Sequence, residues 1–162
     1  MKKKWEKQWD KMIPDDAIIN GVNAVAVDFA KEFGEHLAAN GKHQEKRYNP
    51  KKKSDEYLDV NEYPLTTSQL RRFFGEIKRQ QMTGFVESSF VLLKPKLAYA
   101  VGRAKQNSGN NKYYKIEDFY NVLSNAIDLV VDNTTKNKEQ AFRNFIAMLE
   151  AIVAYHKAAV KE

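Results

Sequence analysis

The 162-residue sequence has no cysteine, which excludes disulfides, thiolate zinc sites and cysteine nucleophiles and fits a reducing compartment. Histidine is nearly as scarce: His36, His43 and His156 are the only imidazoles, and no HExxH spacing occurs. Neither G-x-x-x-x-G-K-[ST] nor G-x-G-x-x-G is present, and the Asn-Ser-Gly-Asn-Asn run ending at Asn111 lacks the lysine a phosphate loop needs. No apolar stretch approaches the ~20 residues of a bilayer span, and the mean hydropathy is -0.65. Basic Met1 to Lys4 imitates the start of a signal peptide, but Trp5 to Asp16 is interrupted by charge and supplies no apolar middle. The expectation is a soluble, cytoplasmic protein without membrane contact, metal or cofactor.

Charge is what the chain has in excess. The net charge is +6 with a pI near 9.3, and the surplus is local. Residues 1–60 carry 12 basic and 11 acidic side chains, residues 61–115 carry 10 and 3, and residues 116–162 carry 5 and 7. A basic middle third points to a polyanionic partner there, against the plainer reading of charge kept for solubility.

Apolar periodicity reads as helix throughout. Asp15 and Asp16 open a buried helix through Ile18, Ile19, Val22, Val25, Val27, Phe29 and Phe33 that ends near Asn40 and Gly41. Trp5, Trp9 and Met12 give the N-terminal tail a short amphipathic helix that docks on this core or on a partner. Residues 42–63, with Pro50, the cluster Lys51, Lys52, Lys53 and few aliphatics, read as a mobile basic connector whose order depends on binding. Thr66 with Gln69 makes a capping box, followed by the stripe Leu70, Phe73, Phe74 and Ile77. From Phe85 to Lys105, Pro95 either kinks one helix or opens a second. Helices on Ile116 to Val130 and Phe142 to Val153 follow, separated by a break at Asp132 to Thr135. No alternating strand pattern competes. The predicted fold is all-α: one domain over residues 1–162, a compact bundle of about five or six helices.

Catalysis has little support. Glu32 and His36 stand one helical turn apart near Asp28 and Glu35, a weak acid/base or metal geometry against which the solvated acidic face of a helix is the far stronger reading. A small nuclease built on His36 or His156 is therefore a minor alternative, and the protein is not expected to be an enzyme.

Binding has better geometry. At about 100° per residue, Arg72 and Arg79 lie opposite Leu70, Phe73 and Ile77, with Arg71 and Lys78 flanking them. Each pair is seven residues apart, about 10 Å along the axis, a spacing that follows successive phosphates. Beyond Pro95, Lys96, Tyr99 and Arg103 share one side opposite Leu97 and Val101. Tyr99 can stack on a base or bond a phosphate and Arg103 can fork onto phosphate oxygens; the plain alternative is a boundary tyrosine between snorkelling cations.

The segments LTTSQLRRFFGEIKR (Leu65 to Arg79) and LLKPKLAYAVGR (Leu92 to Arg103) resemble the small-subunit family of the type III-A CRISPR effector, the Csm complex, with the likeness strong over residues 62 to 106. The resemblance implies a non-catalytic, all-helical antiviral protein lying in several copies along guide (CRISPR) RNA and single-stranded target RNA, bound to backbone rather than to sequence. Its implied neighbours are further copies of itself, the backbone subunits that carry guide RNA, and the large polymerase-like subunit. By that likeness Arg71, Arg72, Lys78, Arg79, Lys96 and Arg103 become candidate RNA contacts, beside Tyr99. Lys94, Lys105 and Lys112 join them on charge position alone. A helical scaffold that touches only proteins is the competing reading.

Overall fold

A continuous helix of twenty-two residues, Lys138–Ala159, packs against much of the helical body. The computed structural model describes residues 8–12, 14–106 and 111–160. In chain order these form a 3-10 turn (Trp9–Met12), α1 (Asp15–Asn20), α2 (Ala24–Ala38), β1 (Gly41–Asn49), β2 (Ser54–Tyr63), α3 (Thr67–Thr83), α4 (Glu87–Val91), α5 (Leu93–Ala104), β3 (Lys112–Tyr114), α6 (Lys115–Val131) and α7 (Lys138–Ala159). One core joins all the helices through Phe33, Leu70, Phe90, Phe119, Phe145 and their neighbours. Burial of such side chains, about 1.5–3 kcal/mol each relative to exposure, is the main favourable term. No described helix is long and apolar enough to cross a membrane.

The all-α expectation is wrong at residues 41–63. The segment read as a connector is a long antiparallel hairpin, with Gly41 opposite Glu62 and Asn49 opposite Ser54. β3 adds a short parallel strand, Asn61 to Tyr63 facing Lys112 to Tyr114, so the fold is α+β with a mixed three-stranded sheet in the order β1-β2-β3. The alternation that makes a strand is present but is written in polar residues. The more covered side of β1 holds His43, Glu45 and Arg47, and it is satisfied by polar pairing: a hydrogen bond between His43 Nδ1 and Glu62 at 3.2 Å and an ion pair of Arg47 Nη2 with Glu45 at 2.6 Å. Only Leu58 and Val60 supply aliphatic inward positions on β2. A hydrophobic period of two is therefore invisible in the sequence.

The helix expected over residues 15–40 is two helices. Gly21 at φ 112 ends α1 in a conformation that a side chain resists, and Asn23 caps α2 by accepting from the Ala26 amide at 2.9 Å. Farther along α2, Gly34 lies where a Cβ would meet the His156 amide nitrogen and the Ile152 carbonyl oxygen at 2.8 Å each, so α2 and α7 touch backbone to backbone. Trp9 is buried against α2, its ring 5.2 Å from Phe33 and 4.8 Å from His36; the tail thus docks on the core at Trp9, while Trp5 lies outside the described residues. The Thr66–Gln69 capping box is formed. Pro95 sits in the first turn of α5, where its missing N–H costs no helical bond. Of the Asn-Ser-Gly-Asn-Asn run only Asn111 is described, and its carbonyl accepts from the Asn61 amide at 2.9 Å.

Candidate nucleic-acid interface

Helices α3 and α5 both pack on the start of α6. Leu70, Phe73 and Ile77 turn inward from α3, Leu93 and Leu97 from α5, and Phe73 meets Phe119 of α6 edge to face at 5.5 Å. The flanking faces of α3 and α5 then form the two walls of an open groove of about 360 Å³. Arg72 and Glu76 line it from α3; Lys96, Tyr99 and Arg103 line it from α5; Phe73, Leu97 and Phe119 form the apolar floor. Two separate helices thus deliver three cations and an exposed aromatic ring, Tyr99 at 69% exposure, to one place.

Glu76 is the residue that sequence reasoning missed. Arg79 Nη2 donates to both of its oxygens at 2.6 and 2.7 Å, Lys96 Nζ reaches Oε1 at 3.1 Å from the facing helix, and the buried Gln80 amide adds a bond at 3.3 Å. Hydrogen bonding from Arg79, then from Lys96 and Gln80, holds the Glu76 carboxyl down to about 2, and the same contact pushes the Arg79 guanidinium up. Glu76 is ionised at any working pH. The available signal was its position three residues before Arg79, one helical neighbour away.

The remaining candidates are dispersed. Arg79 and Lys96 also line a second, smaller cavity of about 160 Å³ on the other side of Glu76, beside Val86 and Leu92. Arg71 is exposed on α3 outside the groove. Lys78 pairs with Glu150 of α7 and lies over the Phe74 ring at 5.3 Å. Lys94 binds Asp128 at 2.6 Å and Lys105 binds Glu117 at 3.1 Å, both on α6. Lys112 is half-buried in β3. Among the described residues no ion pair engages Arg71, Arg72 or Arg103.

The histidines face inward. His36 Nε2 is 2.7 Å from Asp118 and stacks under Trp9, turned away from the solvent side of α2 that carries Glu32. His156 Nε2 donates to the Leu65 carbonyl at 2.7 Å, and burial holds its pKa below the ordinary histidine value. Among the described residues no group of three His, Asp or Glu side chains is placed to hold a metal.

A family model, Csm2 Type III-A, matches residues 49–162, the stretch that runs from the end of β1 through α7 and includes both walls of the groove. The chain belongs to this family. As a Csm2-family protein it is a structural subunit of the type III-A CRISPR effector complex, assembling with the other Csm subunits. No curated protein and no solved structure matches the chain. The Csm2 match begins at Asn49, so α1, α2 and nearly all of β1 lie outside it.

Proposed function

We propose that this Csm2-family chain is a non-catalytic, cytoplasmic RNA-binding subunit that lines guide and target RNA in several copies, gripping the phosphate backbone along the α3/α5 groove. One observation carries the reading: Arg72, Lys96, Tyr99 and Arg103 come from two separate motifs and open onto one groove. Arginine forks match phosphate oxygens, and an exposed tyrosine offers a face on which any base can stack. Arg71 and Arg79 extend this face along α3. Lys78, Lys94 and Lys105, like Arg79 and Lys96 at Glu76, contribute only after leaving their carboxylates, and Lys112 has a peripheral role.

The test is Arg72→Glu with Arg103→Glu, which reverses charge on the groove rim while leaving the packed side of both helices untouched. The variant is expected to keep its circular dichroism and melting temperature, to lose affinity for a labelled oligouridylate, and to fail to enter the complete particle. Normal assembly with undiminished RNA retention would transfer the groove to the protein-scaffold reading. That reading has its own observation: Val86 and Leu92, both exposed apolar side chains, line the smaller cavity.

A further inference from the structure

The β1–β2 hairpin projects from the body. Only its base is tied down, through the pairing of Asn61 to Tyr63 with β3, and its nine- and ten-residue strands reach about 30 Å at 3.4 Å per residue. An isolated two-stranded hairpin is marginal in water, and beyond Leu58 the outer part buries no aliphatic side chain. Folding of the body alone does not account for so long an arm.

What the arm presents at its end is specific. The loop is Pro50-Lys51-Lys52-Lys53. Asn49 Oδ1 accepts from the Lys51 amide at 2.9 Å and from the Lys52 amide at 3.4 Å, fixing the turn. Lys53 then adopts φ 50, among the described residues the only non-glycine at positive φ. Glycine or asparagine suits that position; a lysine there costs roughly 1 kcal/mol or more. A third charge is thus kept at the tip against the backbone's preference. Lys52 has only a distant carboxylate, Glu56 at 3.9 Å, and among the described residues no ion pair engages Lys51 or Lys53. Just behind the tip, Tyr48 and Tyr57 are 63% and 65% exposed. Tyr57 stands opposite Lys46 and Tyr48 opposite Asp55, which puts both tyrosines on one face as diagonal neighbours about 7–8 Å apart.

We propose that the hairpin end is a second contact for single-stranded RNA, separate from the groove: Lys51, Lys52 and Lys53 meet phosphates, and Tyr48 and Tyr57 offer stacking faces to unpaired bases. Exposed lysines, at most weakly paired, beside two exposed aromatic rings suit single-stranded nucleic acid, whose phosphates and unpaired bases engage both at once. The inference rests on the reading of the chain as an RNA-binding subunit and extends it to a site outside the groove.

The experiment uses the full chain and a labelled oligouridylate, comparing wild type, the groove variant Arg72→Glu/Arg103→Glu, and a tip variant Lys51→Ala/Lys52→Ala/Lys53→Gly. Lys53→Gly removes the unfavourable φ, so the tip variant is expected to melt no lower than wild type. Its affinity is expected to fall, with the log–log salt slope shallower by about 2, from ~0.7 per lost phosphate contact. Photo-crosslinking to thiouridine-containing RNA is expected to mark Tyr48 or Tyr57. If the tip variant keeps wild-type affinity and slope while the groove variant loses both, the hairpin site is overturned and the groove reading stands. If neither variant weakens RNA binding, both fall. If the tip variant binds RNA normally but fails to enter the particle, the arm meets an acidic protein surface instead, and the RNA proposal is wrong.

Discussion

Arg79 donates to both carboxylate oxygens of Glu76 one turn earlier on α3. The pair resembles the fork an arginine makes on a phosphate, with the glutamate occupying the anion's place. Lys96 is held by the same carboxylate, so two cations of the basic face are already engaged in the free protein. Glu76→Gln releases them. The variant is expected to bind single-stranded RNA several-fold more tightly, with a steeper salt dependence measured by anisotropy titration.

The same carboxyl gives a signed pH effect. Its folded pKa lies near 2, below its ordinary value of 4.5. A depressed acid contributes stability that is fully present above the unfolded pKa and is lost as pH falls through the folded one. Wild type should therefore lose melting temperature relative to Glu76→Gln as pH drops from about 5 to about 2. The difference is small because Arg79 is well exposed and screened.

His156 titrates in the opposite structural setting. Burial lowers its pKa, so the unfolded chain takes up the proton first and stability falls with acidification starting near the unfolded value of about 6.5. Wild type is expected to melt lower at about pH 5 than at about pH 7. His156→Gln keeps a donor toward the Leu65 carbonyl without a titrating ring, and its melting temperature should change less over that interval.

The helix crossing at Gly34 predicts a contrast among glycines. Gly34→Ala pushes a methyl into the backbone of α7 and should cost about 1–3 kcal/mol. Gly75→Ala, where a Cβ meets nothing within 4 Å, should stabilise α3 by up to ~1 kcal/mol. Thermal melts of the two single variants decide this.

Salt dependence measures the whole RNA surface. Three groove cations (Arg72, Lys96, Arg103) and three at the hairpin tip give a log–log slope of about -4 for wild type at ~0.7 per phosphate. A flat response, or strong preference between unrelated sequences of equal length, would contradict backbone binding at both places.

How much of this was legible depended on whether burial was apolar. The Thr66–Gln69 box and the Leu70, Phe73, Ile77 stripe could be read because capping and core packing select recognisable residue types. The hairpin could not, because His43, Glu45, Arg47 and Glu62 cover each other with charge rather than with hydrocarbon. Val22, Val25 and Val27 extended an apparent apolar helix across Gly21 and Asn23, yet all three are exposed, Val25 at 68%. For the groove, periodicity assigned Arg72 and Arg103 to outer faces but carries no information on which helices stand side by side. That pairing, and the capture of Arg79 and Lys96 by Glu76, exist only in three dimensions.

Leu65 joins the hairpin to α3, and both of its peptide groups are held: its N–H donates to the Leu37 carbonyl at 2.8 Å, and its carbonyl accepts from His156 at 2.7 Å. On the other side of the sheet β3 runs into α6 without an intervening residue. The arm is thus built in at its root like a cantilever, not hung on a pivot. A load at Lys52 cannot be relieved by swivelling at the base; it is delivered as torque to the first turns of α3 and α6, which carry the groove.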